Sequence, residues 1–131
     1  MLDFIINPIA GGKGGKKMRA CVDTIEKILK EKNVEYAFHF TDKKGDAKEL
    51  TQKLFLSGAK TIVAVGGDGT LHEIINGFSG FDKTALGIIP CGTGNDFAAA
   101  VKIPENVSAA TELILNGEAK FTDLMQMPTV R

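Results

Sequence analysis

The chain has 131 residues, 44% of them hydrophobic and 24% charged, and its sixteen basic and sixteen acidic side chains cancel. That is enough chain for one ordinary core and too little for two. A zero net charge excludes the strong overall field that draws a protein to nucleic acid or holds it on an anionic membrane.

No apolar run approaches the roughly 18 residues of a membrane span, and Met1-Leu2-Asp3-Phe4 brings no basic leader, so a cytoplasmic protein is expected. Cys21 and Cys91, far apart and without a C-x-x-C pairing, argue against both a disulfide scaffold and a zinc site and suit a reducing compartment. The fifteen glycines gather in a few clusters, as purpose-built loops do and a low-complexity linker does not.

Leu2 to Ile6 is a short apolar run broken by Asn7-Pro8 and a glycine-lysine stretch, which reads as a buried first strand ending in a loop. Met18, Cys21, Val22, Ile25, Ile28 and Leu29 recur at three- and four-residue spacing among lysines and glutamates, the pattern of an amphipathic helix. Val34 to Thr41 reads as a second strand, and Ala47, Leu50, Leu54 and Phe55 place a second helix that Gly58 stops. Thr61 to Val65 is a third strand, Leu71 to Asn76 a third helix closed by Gly77, and Ala85 to Ile89 a fourth strand stopped by Pro90. Asn95 to Val101 and Val107 to Leu115 supply two further helical pieces, and Ala119 to Leu124 a candidate last strand. This alternation predicts a three-layer α/β domain, a mostly parallel sheet with helices on both faces and ligands at the carboxyl edge of its strands.

Three loops fall at that edge: Asn7 to Gly15, Gly66 to Thr70 and Pro90 to Asp96. Asp68-Gly69 alone could be a hairpin turn. Leu71, Ile74, Ile75 and Phe78 follow helical spacing instead, and Thr70 with Glu73 fits a capping box, so the loop joins a strand to a helix. Glycines there let backbone N–H groups approach an anion, and the helix dipole favours it, so phosphate is the natural guest. A carboxylate such as Asp68 would repel phosphates unless it binds Mg²⁺, directly or through water, or orients an attacking hydroxyl. The third loop, Pro90-Cys91-Gly92-Thr93-Gly94-Asn95-Asp96, repeats this logic, although alone it is a plain strand-to-helix turn with a good cap. The first loop is not a P-loop: the G-x-x-x-x-G-K-[ST] frame ending at Gly15-Lys16 has Ala10 in its first position and Lys17 in its last.

Other candidates are weaker. His39 and His72 lack ligand spacing, and Cys91 has no histidine placed in sequence to activate it. The basic residues from Lys13 to Arg19 could touch phosphates or acidic lipid, and equally form a solvated loop and helix start.

Read together, Asn7-Pro8-x-x-Gly11, Gly66-Gly67-Asp68-Gly69-Thr70 with Glu73 and Asn76-Gly77, and Pro90-x-Gly92-Thr93-Gly94-Asn95-Asp96 resemble the diacylglycerol kinase family, which includes bacterial lipid kinases and the sphingosine and ceramide kinases. The G-G-D-G-T element is shared with NAD kinases and, in near form, phosphofructokinases, whose amino-terminal domain is the fold implied; G-T-G-N-D makes the narrower choice. The resemblance implies ATP- and Mg²⁺-dependent phosphorylation of a lipid hydroxyl, a role in phospholipid metabolism, and peripheral contact with the membrane. It implies nucleotide contacts from Asn7, Pro8, Ile9, Ala10 and Gly11, from Thr41, from Gly66 through Leu71 and His72, and from Gly92, Thr93, Gly94 and Asn95. It also implies a catalytic network of Asp68, Asp96 and Asp123 holding magnesium and its waters. Thr41 and Asp123 come from the resemblance alone.

Family members continue into a β-rich second domain that carries the general base and most of the lipid site. Residues 1–124 are therefore expected to be the nucleotide-binding domain, residues 125–131 a tail outside the family pattern, and the isolated chain half an active site with little lipid phosphorylation of its own. A soluble-substrate kinase of the NAD-kinase type, or a non-catalytic nucleotide-binding module whose exposed edge pairs with a second copy as a homodimer, are the alternatives.

Overall fold

A computed structural model describes residues 1–9, 15–78, 84–91 and 106–116. In chain order these form β1 (Leu2–Ile6), α1 (Lys16–Glu31), β2 (Tyr36–Phe40), α2 (Asp46–Leu56), β3 (Thr61–Gly66), α3 (Asp68–Gly77), β4 (Ala85–Pro90) and α4 (Val107–Leu115). The helix expected at Asn95 to Val101 and the strand expected at Ala119 to Leu124 lie outside the described residues.

Every strand pairing is parallel, and the order across the sheet is β2-β1-β3-β4. β1, β3 and β4 are near-continuous apolar runs because both faces of these strands are covered. β2, at one margin, is only half-buried and carries the alternating Tyr36-Ala37-Phe38-His39-Phe40.

The pleat sends alternate residues to opposite layers. Phe4, Phe38, Val63 and Gly87 align across the register. Their row faces α1 and α4: the Tyr36 hydroxyl, two residues along β2, donates to Glu26 of α1 at 2.6 Å, and Ile114 of α4 lies over Gly87. The next row, Ile5, His39, Ala64 and Ile88, faces the other way, where Leu71 of α3 shares a cleft with Ala64 and Ile88. Helices α2 and α3 pack on each other on that side. The three-layer α/β arrangement expected from the alternation is the one found.

Two expectations need correction. Gly58 does end α2 in the left-handed conformation, with φ +87°. Gly77, in contrast, is the last residue of α3, has no positive φ, and α3 is ended by an extended Phe78. A Cβ on Gly77 would lie 2.7 Å from Thr51 Cβ and 2.8 Å from the Lys48 carbonyl oxygen, so its glycine permits the close approach of α2 and α3.

The cysteines are the second correction. Cys21 and Cys91 form a disulfide across a sequence separation of 70, with Cα atoms 6.9 Å apart. Spacing gave no hint of it, because the pair is made by topology: the buried stripe of α1, Met18, Cys21, Ile25 and Leu29, lies over the sheet where β4 ends.

Candidate functional site

The chain runs from β1 outward to β2, then crosses back to β3 on the opposite side of β1. The direction of winding therefore reverses between β1 and β3, and a parallel sheet opens a crevice at the carboxyl ends of the strands that flank such a reversal. Those ends carry Asn7 and Gly66.

Asn7 Oδ1 accepts from the Ile9 N–H at 3.1 Å, folding the Asn-Pro segment back on itself as it leaves β1. The ladder continues into the loops: Thr41 N–H donates to the Ile6 carbonyl at 2.9 Å, and Cys91 N–H to the Gly66 carbonyl at 3.0 Å. Gly66 has φ +156°, and a Cβ there would stand 3.0 Å from Thr70 Oγ1. A side chain would thus meet the first turn of α3 as the chain reverses out of β3.

α3 starts at Asp68, with only an extended Gly67 between it and the end of β3 as its N-cap, and no side-chain cap. The loop is a strand-to-helix junction as expected, but the capping box is not formed. Thr70 is buried in the first turn, and Glu73 Oε1 accepts from the Gly45 N–H at 2.9 Å, tying α3 to the entrance of α2. That entrance is further organised by Asp46, whose Oδ2 accepts from the N–H groups of Asp42 at 2.7 Å and Lys43 at 2.9 Å. The two donated bonds, first from Lys43 and then from Asp42, hold the Asp46 carboxyl below the usual carboxylate range.

These pieces enclose a cavity of about 350 Å³ lined by Asn7, Ile9, Thr41, Gly69, Thr70 and Glu73 with the run Asp42, Lys43, Lys44 and by Ala47. Its volume is at the lower end for small-molecule sites. Lys43, Lys44, Thr41 and the amino-terminal turn of α3 line it, and so do the acidic Asp42 and Glu73. The lysines and the helix terminus fit the anionic part of a guest, with Asp42 and Glu73 as acceptors.

Of the residues expected at the site, Asn7, Ile9, Thr41, Gly69 and Thr70 are brought together in this cavity. Gly66, Gly67, Asp68 and Leu71 line a small adjoining cleft with Pro90, and Leu71 is otherwise part of the core. Pro8 borders a separate groove with Met18, Arg19, Val22, Asp23 and Phe40. His72 is exposed, pairs with Asn76 one turn along α3 at 3.1 Å, and lines neither opening. Ala10, Gly11, Gly92, Thr93, Gly94, Asn95, Asp96 and Asp123 lie outside the described residues.

Lys43, Lys44 and Glu73 were not read as site residues from the sequence. The signal was present: Thr41-Asp42-Lys43-Lys44-Gly45 is a fourth strand-to-helix loop at the same edge, with Gly45 at φ +95°. Its single glycine sets it apart from the glycine clusters that mark the other three loops.

Residues 2–127 match the diacylglycerol kinase catalytic domain. The chain belongs to that family. It is 38% identical over 126 residues to the diacylglycerol kinase of Bacillus subtilis strain 168, covering 95% of this chain and 41% of that protein. It is 38% identical over 103 residues to the lipid kinase YegS of Escherichia coli K12, covering 76% of this chain and 34% of that one. A crystal structure of a diacylglycerol kinase from Bacillus anthracis strain Sterne superposes with a TM-score of 0.74 at 30% identity, over 88% of this chain and 39% of that chain. The chain thus spans about two fifths or less of the length of these relatives.

Among the described residues no helix is long and apolar enough to cross a membrane, and no three metal-ligating side chains converge. Asp68 is the one member of the expected acidic network that lies within them.

Proposed function

We propose that this chain supplies the nucleotide-binding half of an ATP- and Mg²⁺-dependent kinase whose acceptor is the hydroxyl of a lipid of the diacylglycerol class. Membership of a lipid kinase family supports the reaction class. The single observation that carries the nucleotide reading is the cavity at the β1/β3 reversal, which Lys43 and Lys44 line together with Gly69 and Thr70 of the first turn of α3.

In this reading the nucleotide phosphates are held by the α3 amino terminus through the Gly69 and Thr70 backbone, and by the two ammonium groups across the cavity. Asn7 and Thr41 supply side-chain hydrogen bonds from the neighbouring loops, and Glu73 accepts from the nucleoside side. Magnesium, when bound, would offset the charge that develops on the transferred group, and Asp68 is the residue of this segment suited to hold it through water. The Gly92 to Asp96 loop and Asp123 complete the set that the family resemblance implies. The acceptor site and its general base belong to the parts of the relatives that this chain does not match.

Calorimetric titration with MgATP tests the reading. Binding at sub-millimolar to millimolar concentration is expected, weakened roughly tenfold by Lys43→Ala with Lys44→Ala, as two partly screened phosphate contacts imply. Absence of binding at millimolar MgATP by a folded chain rejects it. In a chain extended to the family's full length, Asp68→Ala should abolish lipid phosphorylation while leaving the thermal midpoint nearly unchanged; an unaffected rate removes Asp68 from the chemistry.

A further inference from the structure

We propose that Cys21 and Cys91 form a thiol–disulfide switch that ties α1 to the chain leaving β4, at the carboxyl edge of the sheet, when oxidised and frees it when a small dithiol reduces the bond. The proposal rests on the nucleotide reading of that edge only for its functional consequence. The switch itself stands on the geometry of the pair.

Cys91 is the first residue after β4. Its sulfur is bonded to α1 and its N–H to the Gly66 carbonyl, 3.0 Å away, so one residue joins the helix after the first loop to the strand end of the second. Directly behind it in sequence comes Gly92-Thr93-Gly94-Asn95-Asp96. Cys21 sits on the buried stripe of α1, about one and a half turns from the helix start at Lys16. A bond between them therefore fixes α1, β3 and β4 against one another at the carboxyl edge of the sheet, on the face opposite the cavity.

Three features make it a switch rather than a staple. Met18, Ile25 and Leu29 are fully buried against the sheet on either side of Cys21, so α1 has an apolar seat that does not consist of the bond. The fold has an apolar core of several covered strands, unlike small domains that need disulfides to fold. These are also the only cysteines in the chain, so no other internal pairing competes.

The chemistry balances with a dithiol as reductant. Its thiolate attacks the sulfur of Cys21, which is 7% exposed where Cys91 is 2% exposed, and the Cys21–Cys91 bond breaks with Cys91 leaving as a thiolate that takes a proton. The second reagent thiol then attacks the mixed disulfide and releases Cys21. Two electrons and two protons pass to the protein, and the reagent leaves as its cyclic disulfide. An oxidised dithiol drives the reverse.

The test equilibrates the chain in buffers of reduced and oxidised dithiothreitol, quenches with an alkylating reagent and maps the peptides, then follows amide hydrogen exchange and MgATP binding in each state. We expect a Cys21–Cys91 cross-linked peptide that disappears on reduction. Exchange over residues 16–21 and 66–70 should accelerate about tenfold in the reduced form, the scale of a local opening, and MgATP affinity should change severalfold. A Cys21→Ala variant should give the reduced behaviour in both buffers; comparison of the two states of the unmodified chain decides the matter if that variant fails to fold. No cross-link after oxidised dithiothreitol, or equal exchange in both states, overturns the switch. Equal MgATP affinity in two states that do differ in exchange overturns its control of the site. Exchange that responds while neither state binds MgATP overturns the nucleotide reading and leaves the switch standing.

Discussion

Gly77→Ala sets two physical effects against each other. Alanine is favoured over glycine in a helix by up to about 1 kcal/mol, and by less at the final residue, so propensity alone predicts a small gain in stability. The structure predicts a loss. An added Cβ would stand 2.7 Å from Thr51 Cβ, 2.9 Å from Thr51 Cγ2 and 2.8 Å from the Lys48 carbonyl oxygen, where carbon contacts settle near 3.5–4.0 Å. Closing that gap requires α2 and α3 to separate by about 1 Å, and overpacking of this kind costs roughly 1–3 kcal/mol. Net destabilisation of about 1–2 kcal/mol remains. With an unfolding entropy near 2.1 cal/mol/K per residue over 131 residues, this corresponds to a fall of about 4–7 °C in the thermal midpoint. Thr51→Ala should not rescue the variant, because it leaves both a Cβ and the Lys48 backbone carbonyl in place. Circular dichroism melts of the single and double variants measure both statements. A midpoint that is unchanged or raised by Gly77→Ala refutes the reasoning, for it would mean that the two helices part at no cost.

Glu73→Ala removes the acceptor of the Gly45 N–H and should lower unfolding free energy by about 1–2 kcal/mol in urea, while Glu73→Gln keeps most of it; equal losses would show that the bond contributes nothing. The Asp46 carboxyl is held below its ordinary value of 3.8 by the N–H groups of Lys43 and Asp42. Its contribution to stability is therefore complete above that value and lost as pH falls through the lower folded value. Asp46→Asn should flatten the acid side of a stability-against-pH curve below about pH 4, and an unchanged slope there counts against the assignment. Asn106 Oδ1 caps α4 by accepting from the Ala109 N–H at 3.0 Å, so Asn106→Ala should cost about 1 kcal/mol by chemical denaturation.

The sequence determined the element types by itself because each signal is local. The covered strands β1, β3 and β4 are short apolar runs, α1 is an amphipathic stripe from Met18 to Leu29, and Gly58 and Pro90 punctuate where the chain turns. It likewise marked Asn7 and Gly66 to Thr70 as loops at one edge, since glycine beside a strand end followed by helical spacing has few other meanings. What it could not supply was who lies beside whom. The β2-β1-β3-β4 order places the crevice between Asn7 and Gly66, and only that order brings Lys43, Lys44 and Glu73 to the same cavity as Gly69 and Thr70. Thr70 and Glu73 satisfied a local capping pattern, yet the Glu73 carboxylate found the N–H of Gly45, twenty-eight residues away in sequence, in preference to its own helix start. Gly77 looked like a stop and proved to be the contact between two helices. Cys21 and Cys91 carry no spacing that pairs them, and meet because α1 lies over the end of β4. Backbone conformation is governed by near neighbours and can be read along the chain, whereas the partners of side chains are chosen by packing in three dimensions.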